Sequence, residues 1–316
     1  MSDTLAFEVV DVFTSEPFRG NPLAVVLGAE ALDTAQLQAI AVEFALSETA
    51  FPLAPTAAER ERGVDYRLRI FTPRTELPFA GHPSVGTAWL MARRGHVPAG
   101  RVVQACGAGD LPLEVAADGG RVLLTGGTPS LGPEVDAQAV LEAVGLAVAD
   151  LAGPAPRTAG TGIDFCYLGV RGDALARAEA DVRALRGVGS VLLFDWNEGH
   201  PVRARMFAPD LGVAEDPATG SAALGLGVFA VASGLLPAEG TSRFTVLQGV
   251  EMGRPSHLHV EVDAAGGRAV AARVAGDVVP VSSGRIVVPP PAPGGPVPAD
   301  VSGGGVRRGG TDSAGR

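Results

Sequence analysis

A chain of 316 residues, 46% of them hydrophobic, is long for one compact domain and natural for two with buried cores. Its net charge of −10 argues against a broad nucleic-acid surface, and no apolar run approaches the roughly 20 residues of a membrane span. It contains no lysine, which excludes a Schiff-base nucleophile, a pyridoxal-phosphate enzyme and a Walker A phosphate loop, each dependent on a lysine amine. Two cysteines, Cys106 and Cys166, cannot form a metal cage alone and suggest no disulfide framework. The first residues have neither the basic nor the apolar region of a signal peptide, so a cytoplasmic protein is expected.

In chain order, residues 7–13 and 24–27 read as strands, rich in β-branched or aromatic residues and joined by a polar turn at 14–22. An amphipathic helix is expected over 34–46, with Leu37, Ile40, Ala41 and Phe44 on one face. Strands follow at 50–53 and 66–71. A helix over 83–94 has proline first, Arg93 and Arg94 late and Gly95 after its end. Strands at 102–104, 111–116 and 121–124 lead to a Gly/Pro-containing crossover at 126–133. The second half runs through a helix at 137–144, strands at 165–170, 191–195 and 202–207, and a helix at 219–233. Strands at 244–247, 257–262, 269–274 and 285–288 complete it. Residues 289–316, half of them Gly or Pro, read as a disordered tail.

The segment from Phe71-Thr-Pro through His82-Pro83 to Gly86-Thr87-Ala88 resembles Phe207-Ala-Pro through Asp216-Pro217 to Gly220-Ser221-Ala222. Both run strand, Phe-x-Pro, loop, polar residue, proline, glycine-hydroxyl-alanine, then helix, as internal duplication would produce. This alignment places His82 and Asp216 at the N-caps of their helices, where the first backbone N–H groups lack partners and the dipole is positive. Two such ends facing one cleft would bind a carboxylate or an enolate. An Asp-Pro cap alone stabilises a helix by about 0.5–2 kcal/mol without any catalysis, so it is the pairing that points to a site. Gly86 and Gly220 weaken their helices by about 1 kcal/mol each and fit places where backbone approaches something closely. The 219–233 helix is apolar nearly all round and calls for a sheet wrapped about it. Glu48, in the short polar run Ser47-Glu48-Thr49 between helix and apolar strand, is the third candidate. Partial desolvation there would raise its pKa and suit it to proton transfer near neutral pH.

Phe13-Thr14, Gly20-Asn21-Pro22-Leu23-Ala24-Val25 and Ser47-Glu48-Thr49-Ala50-Phe51 resemble the opening signatures of PhzF-like (phenazine-biosynthesis) proteins. The resemblance continues in Glu76-Leu-Pro-Phe-Ala-Gly81-His82-Pro83, Glu215-Asp216-Pro-Ala-Thr-Gly220-Ser221-Ala and Gln248-Gly249-x-x-x-Gly253-Arg254-Pro255-Ser256. It spans about residues 5–288 and implies an α/β (α+β) diaminopimelate-epimerase-like fold. In that fold two pseudo-symmetric lobes each wrap a curved sheet or barrel around a central helix. It implies lobes of 1–126 with about 279–288, and 127–278, and a homodimer. It also implies a cofactor-independent, metal-free isomerase that moves a proton on a small carboxylated substrate such as trans-2,3-dihydro-3-hydroxyanthranilate. By motif, Glu48 would be the general acid/base and His82 and Asp216 would act beside it. Ser221 and the backbone at Gly81 and Gly220 would bind the substrate. A catalytically silent metabolite-binding or interaction module of the same fold is the alternative.

Racemases of this fold carry a cysteine in each repeated loop; here neither loop has one, which excludes a two-thiol mechanism. Gly225-x-Gly227-x-x-Ala230 resembles a dinucleotide fingerprint but falls inside a helix. His257 and His259 alternate with apolar residues and read as a solvated strand face rather than a metal site.

Overall fold

A helix without a polar face is stable only when wrapped on every side, and the chain has two. A computed structural model, which describes residues 3–197, 199–209 and 213–291, encloses both in sheet. The first half comprises β1 (Thr4–Val12), β2 (Asn21–Leu27), α1 (Thr34–Phe44), β3 (Glu48–Leu53), α2 (Ala57–Glu61), β4 (Tyr66–Phe71), β5 (Glu76–Leu77), α3 (Gly81–Arg93), β6 (Gly100–Cys106), β7 (Gly109–Val115) and β8 (Arg121–Thr125). The second comprises β9 (Ser130–Glu134), α4 (Ala137–Ala143), β10 (Arg157–Gly160), β11 (Asp164–Gly169), α5 (Gly172–Arg177), α6 (Val182–Leu185), β12 (Val191–Asp195), β13 (Val202–Ala208), β14 (Val213–Asp216), α7 (Gly220–Ala232), β15 (Gly240–Gln248), β16 (Ser256–Ala265) and β17 (Arg268–Val287). No helix among the described residues is long and apolar enough to cross a membrane.

The duplication is written in the strand order. The first half pairs β1–β2–β3–β4–β6–β7–β8, parallel at β2–β3 and β4–β6 and antiparallel elsewhere. The second pairs β10–β11–β12–β13–β15–β16–β17, parallel at β11–β12 and β13–β15. The first half also receives a strand from the second: the end of β17 returns to pair with β1 from Val278 to Val287, while β9 opens the second half by pairing with β10. β17 also pairs with β8, which closes the first sheet into a barrel around α3. Eleven of the 13 residues of α7 are buried, against β9, β10, β11, β16 and β17.

The repeat holds, but in a different register. Both central helices are 13 residues long and begin at a glycine, so Gly81 matches Gly220 and His82 matches Ser221. Gly86 matches Gly225, and both helices end in a left-handed glycine, Gly95 and Gly234, with a proline three residues on. The alignment of His82-Pro83 with Asp216-Pro217 was therefore five residues out at the helix. His82 is the second residue of α3, whose N-cap is Ala80, and Asp216 ends β14, three residues before the α7 N-cap Thr219. A polar residue before proline looks the same locally whether it caps a helix or ends a strand.

Other departures have similar causes. Residues 126–133, expected as a crossover loop, contain the start of β9, and β10 was not expected. Both exist because they pair with each other, which overrides their Gly and Pro content. The strands expected at 269–274 and 285–288 are one 20-residue strand whose two ends serve different halves. Helix α1 stops at Phe44 because Ala45 turns left-handed, and its start carries an Asp33–Gln36 capping box. From residue 292 on, the expected tail lies outside the described residues. Pro289, its first residue, accepts a hydrogen bond from Gln36 Nε2.

Gly225 marks the tightest approach of α7 to its sheet. A Cβ there would lie 2.1 Å from Tyr167 Oη and 3.1 Å from Gly160 Cα, and the Tyr167 hydroxyl is held by the Ala222 carbonyl. Gly225→Ala is expected to destabilise the fold by about 2 kcal/mol or more through overpacking. A chemical-denaturation midpoint equal to the wild type would contradict that close contact.

Candidate active site

The two central helices meet end to end. A Cβ on Gly81 would sit 3.2 Å from the Ser221 backbone nitrogen and 3.3 Å from Gly220 Cα. Neither helix has a side-chain cap, so the amides of Gly81, His82, Gly220 and Ser221 keep the character of free helix N-termini. All four residues line one cleft that opens to solvent. Glu48 and Asp216 complete its polar lining, and Leu77, Phe79, Phe165 and Met206 supply apolar lining. All six candidate residues, Glu48, His82, Asp216, Gly81, Gly220 and Ser221, thus share one cavity.

Glu48 is the first residue of β3, held beside β2 by the Leu23–Glu48 pairing. Its Oε2 lies 3.6 Å from His82 Nε2, too far for a direct hydrogen bond. Both atoms are buried and neither has a partner among the described residues. Unpaired buried polar groups cost about 1–3 kcal/mol each, so the pair is poised for a group that enters between or beside them. Asp216 is otherwise engaged: its Oδ1 accepts from Asn21 Nδ2 at 2.8 Å and its Oδ2 from Thr219 Oγ1 at 2.5 Å.

Burial, and secondarily the Asp216 carboxylate, pushes Glu48 up to about 8. Burial also raises Asp216, to about 6, against the pull of the Thr219 and Asn21 hydrogen bonds. Burial alone drives the His82 imidazole down to about 3, so it is neutral throughout the physiological range. The site therefore holds a carboxyl group able to exchange a proton near neutral pH, a neutral imidazole, and amide donors for an anion. Proton transfer at carbon next to a carboxylate uses these parts.

Three side chains that hold this polar lining in place were not singled out individually in the sequence. Asn21, fully buried at the start of β2, has Nδ2 3.0 Å from the Ala218 carbonyl and 3.2 Å from His82 Nδ1, besides its bond to Asp216. Gln248 at the end of β15 donates to the Asp216 carbonyl and to Thr219 Oγ1 and accepts from the Thr219 N–H. Thr219 closes the turn between Asp216 and α7. Asn21 and Gln248 lay within quoted motifs; a buried polar residue beside a motif glycine was the available signal.

Phe13 shows where the halves lock. It is fully buried yet has φ 66°, a conformation costly for an aromatic residue. Its N–H donates to the Asp277 carbonyl, its own carbonyl accepts from the His257 N–H, and its ring packs against Gly276 and Gly220. His257 is exposed and His259 half-buried on β16, the latter within 3.2 Å of Thr245 Oγ1. Cys106 and Cys166 lie outside the cleft lining.

Two pseudo-repeated sheets around central helices whose N-termini frame one cleft define a protein of the diaminopimelate-epimerase-like fold. A phenazine biosynthesis-like protein family model (PhzC-PhzF) matches residues 10–284, and the chain belongs to that family. It is 35% identical over 306 residues to an uncharacterized isomerase of Mesorhizobium japonicum, covering 90% of this chain and 99% of the relative. It is 33% identical over 293 residues to trans-2,3-dihydro-3-hydroxyanthranilate isomerase of Pseudomonas fluorescens, covering 89% and 99%. A PhzF-family crystal structure from Bacillus anthracis superposes with a TM-score of 0.80 at 24% identity, covering 90% of this chain and all of the other. The chain is an isomerase by these relationships.

Proposed function

We propose that this isomerase relocates a proton on a small carboxylated substrate of the trans-2,3-dihydro-3-hydroxyanthranilate type, with Glu48 as the proton carrier. The observation that carries the reading is the unpartnered Glu48–His82 pair at the meeting of two helix N-termini. The substrate carboxylate lies against the amides of Gly81, Gly220 and Ser221 and its carbon skeleton against Phe79, Phe165 and Met206. Ionised Glu48 takes the proton from carbon, and the N-terminal amides steady the anionic intermediate. The carboxyl group so formed returns the proton to another carbon, and the product then tautomerises to a ketone. His82, Asp216 and Ser221 hold the polar substituents. The family resemblance also supports a homodimer. Conversion of trans-2,3-dihydro-3-hydroxyanthranilate by the purified protein, followed by chromatography, tests the substrate. Saturable binding without conversion would contradict this substrate and send the search to other small carboxylated compounds.

A base raised to about 8 makes kcat/KM climb with pH toward that value. Asp216→Asn removes the negative neighbour that helps to raise Glu48, so the rising limb is expected to move to lower pH by about one unit. A limb that stays in place, measured as kcat/KM against pH, would contradict the electrostatic coupling of the two carboxyl groups.

A further inference from the structure

Asn21 carries no charge and does not line the cleft, yet it touches the groups that do. Its side chain lies where β2, β3, α3 and the β14–α7 turn converge. Ser47 Oγ donates to its Oδ1 at 3.2 Å, and its Nδ2 faces Asp216 Oδ1, the Ala218 carbonyl and His82 Nδ1. The orientation of the amide is fixed by chemistry. Turned over, it would set its oxygen 2.8 Å from a carboxylate oxygen and 3.0 Å from a carbonyl oxygen, acceptor against acceptor. The two NH2 protons go to the two shorter contacts, to Asp216 and Ala218, and the amide nitrogen accepts nothing, so a proton on Nδ1 would meet no acceptor there. The neutral imidazole must then carry its proton on Nε2, the atom that faces Glu48.

We infer that Asn21 is a positioning residue that selects the Nε2–H tautomer of His82 and so turns that side chain into a hydrogen-bond donor toward Glu48 and the substrate. The same NH2 group holds Asp216 as an acceptor, so one amide sets the donor pattern of both halves of the site. Its own place is over-determined. Gly20 before it is left-handed, and a Cβ there would fall 2.3 Å from the Val12 carbonyl oxygen. Arg254, from the other half of the chain, donates to the Gly20 and Arg19 carbonyls and pairs with buried Asp11, while the Gly20 N–H donates to the Pro255 carbonyl. A turn pinned from both halves holds the Asn21 amide against His82.

The tautomer is a property of the protein alone; its catalytic consequence rests on the function proposed above. The protein has five histidines, so two-bond 1H–15N correlation of 15N-histidine-labelled wild type, with His82→Gln to identify the signals, reads the tautomer directly. The expected result is His82 protonated at Nε2 near pH 7; protonation at Nδ1 overturns the inference. In Asn21→Leu the Nδ1–H form is expected to appear, with kcat for trans-2,3-dihydro-3-hydroxyanthranilate down about 100-fold and KM changed far less. A pure Nε2–H form with kcat within about threefold of wild type in that variant overturns it as well. The wild-type spectrum decides the matter if Asn21→Leu does not fold. An Nε2–H spectrum in a protein that leaves this substrate unchanged would defeat the functional reading and not the tautomer assignment.

Discussion

Glu48→Gln is expected to lower kcat by about 10³- to 10⁴-fold while making the protein more stable. The loss follows from removing the only carboxyl group raised to about 8 among the described residues of the cleft. The gain follows from linkage. A carboxyl group whose folded pKa lies near 8 instead of the usual 4.5 holds its proton more tightly in the folded state. Below pH 4.5 folded and unfolded chains are both protonated there, and nothing is lost. As pH rises toward 8 the unfolded carboxyl ionises freely and the folded one resists, so stability falls through that window. Glutamine does not titrate, so its advantage is expected to be small at pH 4.5 and on the order of a few kcal/mol at pH 8. Thermal melts of both proteins at the two pH values check this. An advantage that did not grow with pH would mean that Glu48 is not held protonated by its surroundings.

Arg205→Leu should cost the most stability of any exchange considered. Arg205 on β13 forms a two-pronged ion pair with Glu215 on β14, at 2.8 and 2.9 Å, with only 9% and 19% of the two side chains exposed. Its third nitrogen donates to the Leu175 and Ala178 carbonyls at the end of α5, where a cation also suits the helix dipole. Removing the guanidinium strands a carboxylate and two carbonyls at once, which costs about 3–5 kcal/mol. The melting temperature should fall by about 5–8 °C. Glu215 adjoins Asp216, so activity should fall with it. The double variant Arg205→Leu/Glu215→Leu should recover most of the stability, because the stranded charge is gone. A double variant no more stable than the single one would place the energy in packing around Arg205 and not in the ion pair.

The strongest features of this fold were legible because they are enforced by burial. An α7 segment apolar on every side can only be wrapped, whereas Glu48 at the end of a helix reads locally as a surface glutamate at least as readily as a desolvated one and was marked by the family motif. The family motifs also marked every candidate residue that the cleft brings together. The helix starts were less legible. His82-Pro83 and Asp216-Pro217 look alike over two residues, whereas the true register is carried by the far ends of the helices. There Gly95 and Gly234, each with a proline three residues on, align without a gap. Reading the repeat backwards from its C-caps would have matched His82 to Ser221. Asn21 was hidden for another reason: its four partners come from residues 47, 82, 216 and 218, and no local pattern reports so distant a set. The long β17 depends likewise on β1 and β8 of the opposite half, and β9 on the distant β10.

The most direct test of the account follows the proton itself, by NMR of trans-2,3-dihydro-3-hydroxyanthranilate with wild type and Glu48→Gln in deuterated water. Rearrangement with deuterium entering at carbon, abolished in Glu48→Gln, is the predicted result. Equal turnover by the Glu48→Gln protein would contradict the assignment of Glu48 as the carrier, and the family and fold would stand unchanged.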